Sequence, residues 1–342
     1  MNASVTVTGE QFRIVSAIPP QHMPWLLLWT RPVIRSDSCG LDMLIVEHAG
    51  DETAPDRLTL SEGWQRRWIT SWRVGGGSVA WPVSDMGSAP VGSSSPVRGF
   101  TWRARQGHRP GLQFMVSTGR HHGFESLEEQ RLLLALDFLR VVDVLAQPFE
   151  LDFEHEGVRA RHTPDFLAVM PGWGGWLFDV RPERLIGPLD ALKFAAARHV
   201  AETVGWRYSV VAGWRPHVHS VLDFLSSQRR PLQDPMRLQC QLLAAVEEAG
   251  KLTFGEMAGA TKLPVVARAH ATHLLWHRQL APDLGSPFND GSPVWLGASP
   301  GGRPRQPGAG CAISRRQTSA AERSRVDGRV DRAAARSVPP VP

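Results

Sequence analysis

Between residues 124 and 230 the apolar positions follow first a helical rhythm and then short alternating runs. The segment FESLEEQRLLLALDFL, Phe124–Leu139, has helical spacing: four, seven and eleven positions on from Glu128 come Leu132, Ala135 and Leu139, on one face. Ser126 is the expected N-cap, and Glu129, three residues on, sits where a capping-box carboxylate reaches back to the cap. Pro148–Phe153 reads as a strand, Glu154–Gly157 as a turn and Val158–Arg161 as its return. Phe166–Met170 and Trp176–Arg181 are further strands, separated by a Gly-rich turn. Pro188–Thr203 is an amphipathic helix with Leu189, Leu192, Ala196 and Val200 on one face, stopped at Gly205. A strand at Tyr208–Ala212 and a helix at Val218–Ser227 follow. The order predicts an α/β domain over residues 98–230, a mixed sheet flanked by helices.

Three other regions have different rhythms. Residues 1–97 form an N-terminal accessory region, with a strand expected in Val5–Ile14 and an apolar extended stretch at Trp25–Ile34. Trp64, Trp68 and Trp72 recur every four residues, which puts them on one face of a helix, as core rather than as a base-stacking platform. Val74–Val97, rich in Gly, Ser and Pro, reads as a linker. Pro231–Pro235 is a hinge into residues 231–298, where helices at Met236–Ala249, Thr253–Ala258 and Leu263–His277 precede a turn-rich Leu280–Leu296. Three short helices and a hairpin predict a winged-helix-like domain. In it His273 and His277 stand four residues apart, but no third ligand accompanies them, so both read as polar surface residues.

Charge changes the picture at the C-terminus. The net charge is +5, yet residues 299–342 hold nine arginines and three acids, so the other 298 residues sum to −1. This Arg-rich tail has almost no core formers and is expected to be disordered, either adding salt-sensitive DNA affinity or remaining inert. Three distant cysteines, Cys39, Cys240 and Cys311, follow no zinc spacing and suit a reducing cytoplasm. No secretory leader is expected, and the apolar cluster Trp25–Trp29 is too short to span a bilayer, so no membrane partner is expected.

The candidate chemistry lies in the carboxylates. Glu128 stands at the start of the apolar helix face, where a charge is costly unless paired, metal-bound or favoured by the helix dipole. Asp165 opens one strand and Asp179 lies inside the next, between Phe178 and Val180. Aspartate is depleted in such runs, and two on neighbouring strands repel unless a cation lies between them. Oxygen donors on rigid elements suit Mg²⁺, with Mn²⁺ as a substitute.

Pro164-Asp165 followed by Asp179-Val180-Arg181 resembles the PD-(D/E)xK nuclease signature, with Arg where Lys is usual. The wider series, with Ser126-Leu127-Glu128, LALDF, QPFEL, HTPDF, DVRP and GWRYSV, resembles the TnsA-like endonuclease subunit of heteromeric bacterial transposases. The resemblance covers roughly Trp102 to Arg230. It implies a restriction-endonuclease-like core that cuts one strand at transposon ends, working on double-stranded DNA beside a DDE-type transposase and an ATPase regulator. It also implies Mg²⁺ held by Glu128, Asp165 and Asp179, with the Val180 carbonyl as a further ligand.

Arg181 is the departure from that pattern. Arginine keeps its proton in proteins and cannot serve as a general base, but it can grip a phosphate. Its ordinary alternative is an ion pair with Glu183 or Asp179, and Lys193 on the next helix is either a substitute cation or a surface lysine. Upstream, Arg98–Arg120 interleaves arginines, among them Arg103, Arg105, Arg109 and Arg120, with Phe100, Trp102 and Phe114. That is either a phosphate-gripping strip or a solvated hairpin with basic edges. The expectation is a metal-dependent DNA endonuclease subunit. The alternatives are a stand-alone restriction or repair nuclease and a DNA-binding scaffold whose cleavage has decayed at Arg181.

Overall fold

The structure is a computed structural model that describes residues 32–100, 110–172 and 174–298. The strand expected in Val5–Ile14, most of Trp25–Ile34, the residues Arg103, Arg105 and Arg109, and the tail lie outside the described residues.

In chain order the elements begin with β1 (Ile45–Glu47), the single-turn helix α1 (Trp64–Arg67), β2 (Ile69–Val74), β3 (Gly77–Pro82) and β4 (Ser94–Ser95). A hairpin, β5 (Gly111–Met115) and β6 (Arg120–Phe124), leads into α2 (Leu127–Phe138) and β7 (Asp143–Ala146). Then come β8 (Glu150–His155), β9 (Val158–His162), β10 (Phe166–Met170), β11 (Gly174–Val180), α3 (Pro188–Thr203), β12 (Arg207–Trp214) and α4 (Val218–Ser226). The last part runs α5 (Leu238–Ala249), β13 (Leu252–Thr253), α6 (Phe254–Gly259), α7 (Pro264–Trp276), β14 (Leu280–Pro282) and β15 (Pro293–Leu296).

The central sheet has the order β1-β12-β11-β10-β7. Its middle strands carry apolar side chains on both faces because both faces are covered. Phe166, Ala168, Trp176 and Phe178 pack with the apolar residues of α2 and α4, while Leu167, Leu177 and Val210 pack with those of α3. β11 and β12 run parallel, as a crossover through α3 requires, and the other pairs are antiparallel. The mixed α/β architecture expected for this region is present.

The N-terminal residues correct several expectations. Trp64, Trp68 and Trp72 do not share a helix: the helix ends after one turn and Trp72 lies on β2. A four-residue spacing is also even, so it suits one face of a strand equally well. Trp68 and Trp72 are fully buried, against Phe153 and Phe149, and are core as expected. Val74–Val97 is not a linker. Gly75 and Gly76, at φ 57° and 84°, form the tight β2–β3 turn, and Val83 and Met86 beyond it are fully buried. β2 also pairs with β8, so the predicted β8–β9 hairpin forms but belongs to a second sheet, β3-β2-β8-β9, rather than to the central one.

Residues 238–296 fold as three helices against a three-stranded sheet, β13-β15-β14. Leu242, Leu274 and Trp276 join the apolar cluster that contains Leu132 and Phe138 of α2. His273 is buried, against expectation, and His277 is half-buried. Their rings meet at 4.3 Å, and each faces a carbonyl, of Gln228 (2.8 Å) and Arg229 (3.2 Å) respectively. Burial and the neighbouring His273 push the pKa of His277 down to about 4. Thr253 caps α6 in a complete capping box with Glu256. Thr253→Ala is therefore expected to lower stability by about 1 kcal/mol in chemical denaturation. No described helix is long and apolar enough to cross a membrane.

Candidate functional site

The carboxylates meet at one end of the central sheet. Asp165 precedes β10; its N–H donates to Phe178 O (2.9 Å) and its Oδ2 accepts the Val180 N–H (2.7 Å). Since Phe166 pairs with Phe178, Asp165 comes directly beside the end of β11. Asp179 is 3% exposed and lies on the face of β11 that carries Leu177. Its Oδ2 accepts the Tyr208 hydroxyl (2.7 Å) and lies 2.9 Å from His162 Nε2. Tyr208 keeps its proton, because burial and the Asp179 charge hold its pKa well above the usual phenol value. The His162 ring in turn stands edge-on against Phe194 of α3.

The helix contributes its second glutamate. Successive helical residues point about 100° apart, so Glu128 and Glu129 leave α2 in different directions. Glu129 is buried, and its carboxylate accepts the Ser126 hydroxyl and the Glu125 N–H, both at 2.8 Å, while the Ser126 Oγ accepts the Glu129 N–H. Its charge also reaches Asp165. Desolvation, Glu129 and Asp179, in that order, hold the Asp165 carboxyl well above the ordinary aspartate pKa. Glu128 faces elsewhere, ion-paired with Arg131 and accepting from Trp214 Nε1 (3.1 Å). Glu129 is therefore the helix glutamate whose charge reaches Asp165, while Glu128 is held by Arg131 and Trp214.

The remaining expected site residues are dispersed. The Val180 N–H is the donor that holds Asp165. The exposed Arg181 side chain reaches Leu185 O (3.2 Å) and Asp190 (3.5 Å), at the entry to α3, in place of the expected Glu183 or Asp179. Glu183 instead faces His48 at 3.0 Å. Lys193 is half-buried on α3. Arg120 pairs with Asp143 on the hairpin edge.

His162 and Tyr208 were not legible as site residues. The available signals were the position of His162 three residues before Asp165 and the fact that Tyr208 is the only tyrosine in the chain. Glu129 does carry a signal, its capping-box position, but that position is equally the mark of a purely structural residue.

No three His, Cys, Asp or Glu side chains among the described residues are arranged to hold a metal ion. The donor chemistry fits a hard divalent cation all the same. Asp165, Asp179 and Glu129 are oxygen donors on rigid elements, and Mg²⁺ takes one or two carboxylates and keeps several waters. The raised Asp165 pKa marks a place where negative charges cluster. A comparison with protein-family models matched none, and a search of curated proteins gave no significant match.

Proposed function

We propose that this chain is a divalent-metal-dependent DNA endonuclease, the TnsA-like subunit of a heteromeric transposase. On this reading it acts on double-stranded DNA at transposon ends beside a DDE-type transposase and an ATPase regulator. The domain expected over residues 98–230 is read as a restriction-endonuclease-like core and that over residues 231–298 as a winged helix. The observation that carries the reading is the juxtaposition of Asp165, just before β10, with Asp179 on β11, where the charge of Glu129 from α2 also reaches Asp165.

Mg²⁺ or Mn²⁺ would be held by Asp165 and Asp179 with Glu129 beside them, and when bound would acidify a water and neutralise phosphate charge. The protein's own part is orientation. Tyr208 and His162 fix the Asp179 carboxylate, and the Val180 N–H fixes that of Asp165. Arg181, permanently charged, is exposed and leaves its 3.5 Å contact with Asp190 to take a phosphate oxygen pair. The direction of Arg181 also favours a second reading, a DNA-binding scaffold without cleavage, because the guanidinium points toward α3 rather than toward Asp179.

Calorimetric titration of Mn²⁺ into the protein with a DNA duplex present separates the two. Saturable binding that disappears in Asp165→Asn is the expected result. Absence of binding in the unaltered protein would overturn the endonuclease reading and leave the scaffold.

A further inference from the structure

A cleft of about 210 Å³ opens between the first turns of α2 and the ends of β11 and β12. β11 and β12 run parallel, and the cleft lies outside their carboxyl ends, where open α/β sheets gather ligands. Its walls carry Arg131 from α2, Arg184 from the turn after β11 and the indole of Trp214 from β12. Glu128 binds the first and last of these together, pairing with Arg131 through Oε1 and accepting from Trp214 Nε1 through Oε2. Arg131 and Glu128 keep 36% and 31% of their side-chain surface in solvent, so the pair is reachable. Arg184 is exposed. The candidate carboxylate Glu129 is the next residue after Glu128, and Arg181 precedes Arg184 by three.

The composition selects the ligand. A guanidinium offers five N–H donors, of which Glu128 takes only a part. Two arginines beside an indole provide phosphate and base contacts, as in grooves that track a nucleic-acid strand. The volume is below the ~300–1,000 Å³ of pockets that enclose a whole small molecule, so the cleft takes one unit of a chain.

We propose that this cleft seats one nucleotide of a DNA strand, with its phosphate on Arg131 and Arg184 and its base against Trp214. Glu128 is then a positioning residue that holds the guanidinium and the indole, not a metal ligand. The proposal rests on the endonuclease reading above.

The test is binding of the full chain to a fluorescein-labelled duplex with a frayed end, followed by anisotropy over a range of salt, for the unaltered protein, Arg131→Ala, Arg184→Ala and Trp214→Leu. Each arginine variant is expected to lower the slope of log K against log salt by about 0.7–0.9. Trp214→Leu is expected to weaken frayed-end binding roughly 5- to 150-fold and leave that slope unchanged. Thermal melts report folding, and the exposed Arg184 carries the test if a substitution at Arg131 unfolds the chain. Binding by the unaltered protein with unchanged slopes and affinities in the variants would overturn the subsite alone. If the unaltered protein bound no duplex, the endonuclease reading would fall, and the subsite with it.

Discussion

Glu129→Gln is expected to lower strand cleavage by the assembled system about 10²–10³-fold, the loss typical when one preorganised charged group leaves a reacting centre. At saturating duplex, Glu128→Gln is expected to leave the cleavage rate within a few-fold, its loss falling on strand binding through Arg131 and Trp214. The two residues are neighbours of the same type, so composition, helix propensity and net charge change equally in both variants. What differs is direction: the charge of Glu129 reaches Asp165, and Glu128 faces Arg131 and Trp214. Glutamine at 129 retains an oxygen that can accept the Glu125 N–H or the Ser126 hydroxyl, so the start of α2 is largely kept. Nicking of a labelled transposon-end duplex, with both variants compared in the assembled system, measures the difference. Equal losses, or a larger loss at Glu128, would show that the wrong glutamate has been assigned.

That contrast also marks how far the sequence could be read. Where the signal was local and strong, the expected elements match: Phe166–Met170 and Pro188–Thr203 appear with the predicted limits, and Ser126 and Thr253 cap their helices. β1 and β7, of three and four residues, are too short to show an alternation, so the edges of the central sheet were not visible. The Trp64–Trp72 spacing satisfies two periods at once, and only pairing of β2 with β3 and β8 decides between them. Glycines and serines in Val74–Val97 were turn chemistry within a sheet, although their composition resembled a linker. At the site, Asp165 and Asp179 stood out because a charge in an apolar strand is conspicuous. His162 and Tyr208 reach Asp179 across 17 and 29 residues, a contact that exists only after β9, β11 and β12 have assembled.

The same clustered charge has a consequence for stability. Asp165→Asn is expected to raise the midpoint of thermal unfolding of the metal-free protein at neutral pH, although it removes a candidate ligand. The folded state binds the Asp165 proton more tightly than the unfolded chain does, because desolvation, Glu129 and Asp179 all disfavour the charged form. Between the unfolded value near 4 and the raised folded value, the native state therefore carries the extra proton, and stability falls as pH rises through that window. Below it, Asp165 is protonated in both states and the penalty is absent; above it, the full penalty remains. Asparagine is neutral throughout and still offers an oxygen to the Val180 N–H, so it removes the penalty and retains the bond. Asp165 keeps partial contact with solvent, which moderates the gain. A rise of roughly 2–4 °C per kcal/mol is the scale for chains of this order of size. The gain should shrink toward zero as the melts are repeated down to pH 4, and added Mn²⁺ should stabilise the unaltered protein but not the variant. A fall in the midpoint at neutral pH would mean that Asp165 is compensated in the folded state. The carboxylate cluster would then be a structural ion pair, with no cation left for it to attract.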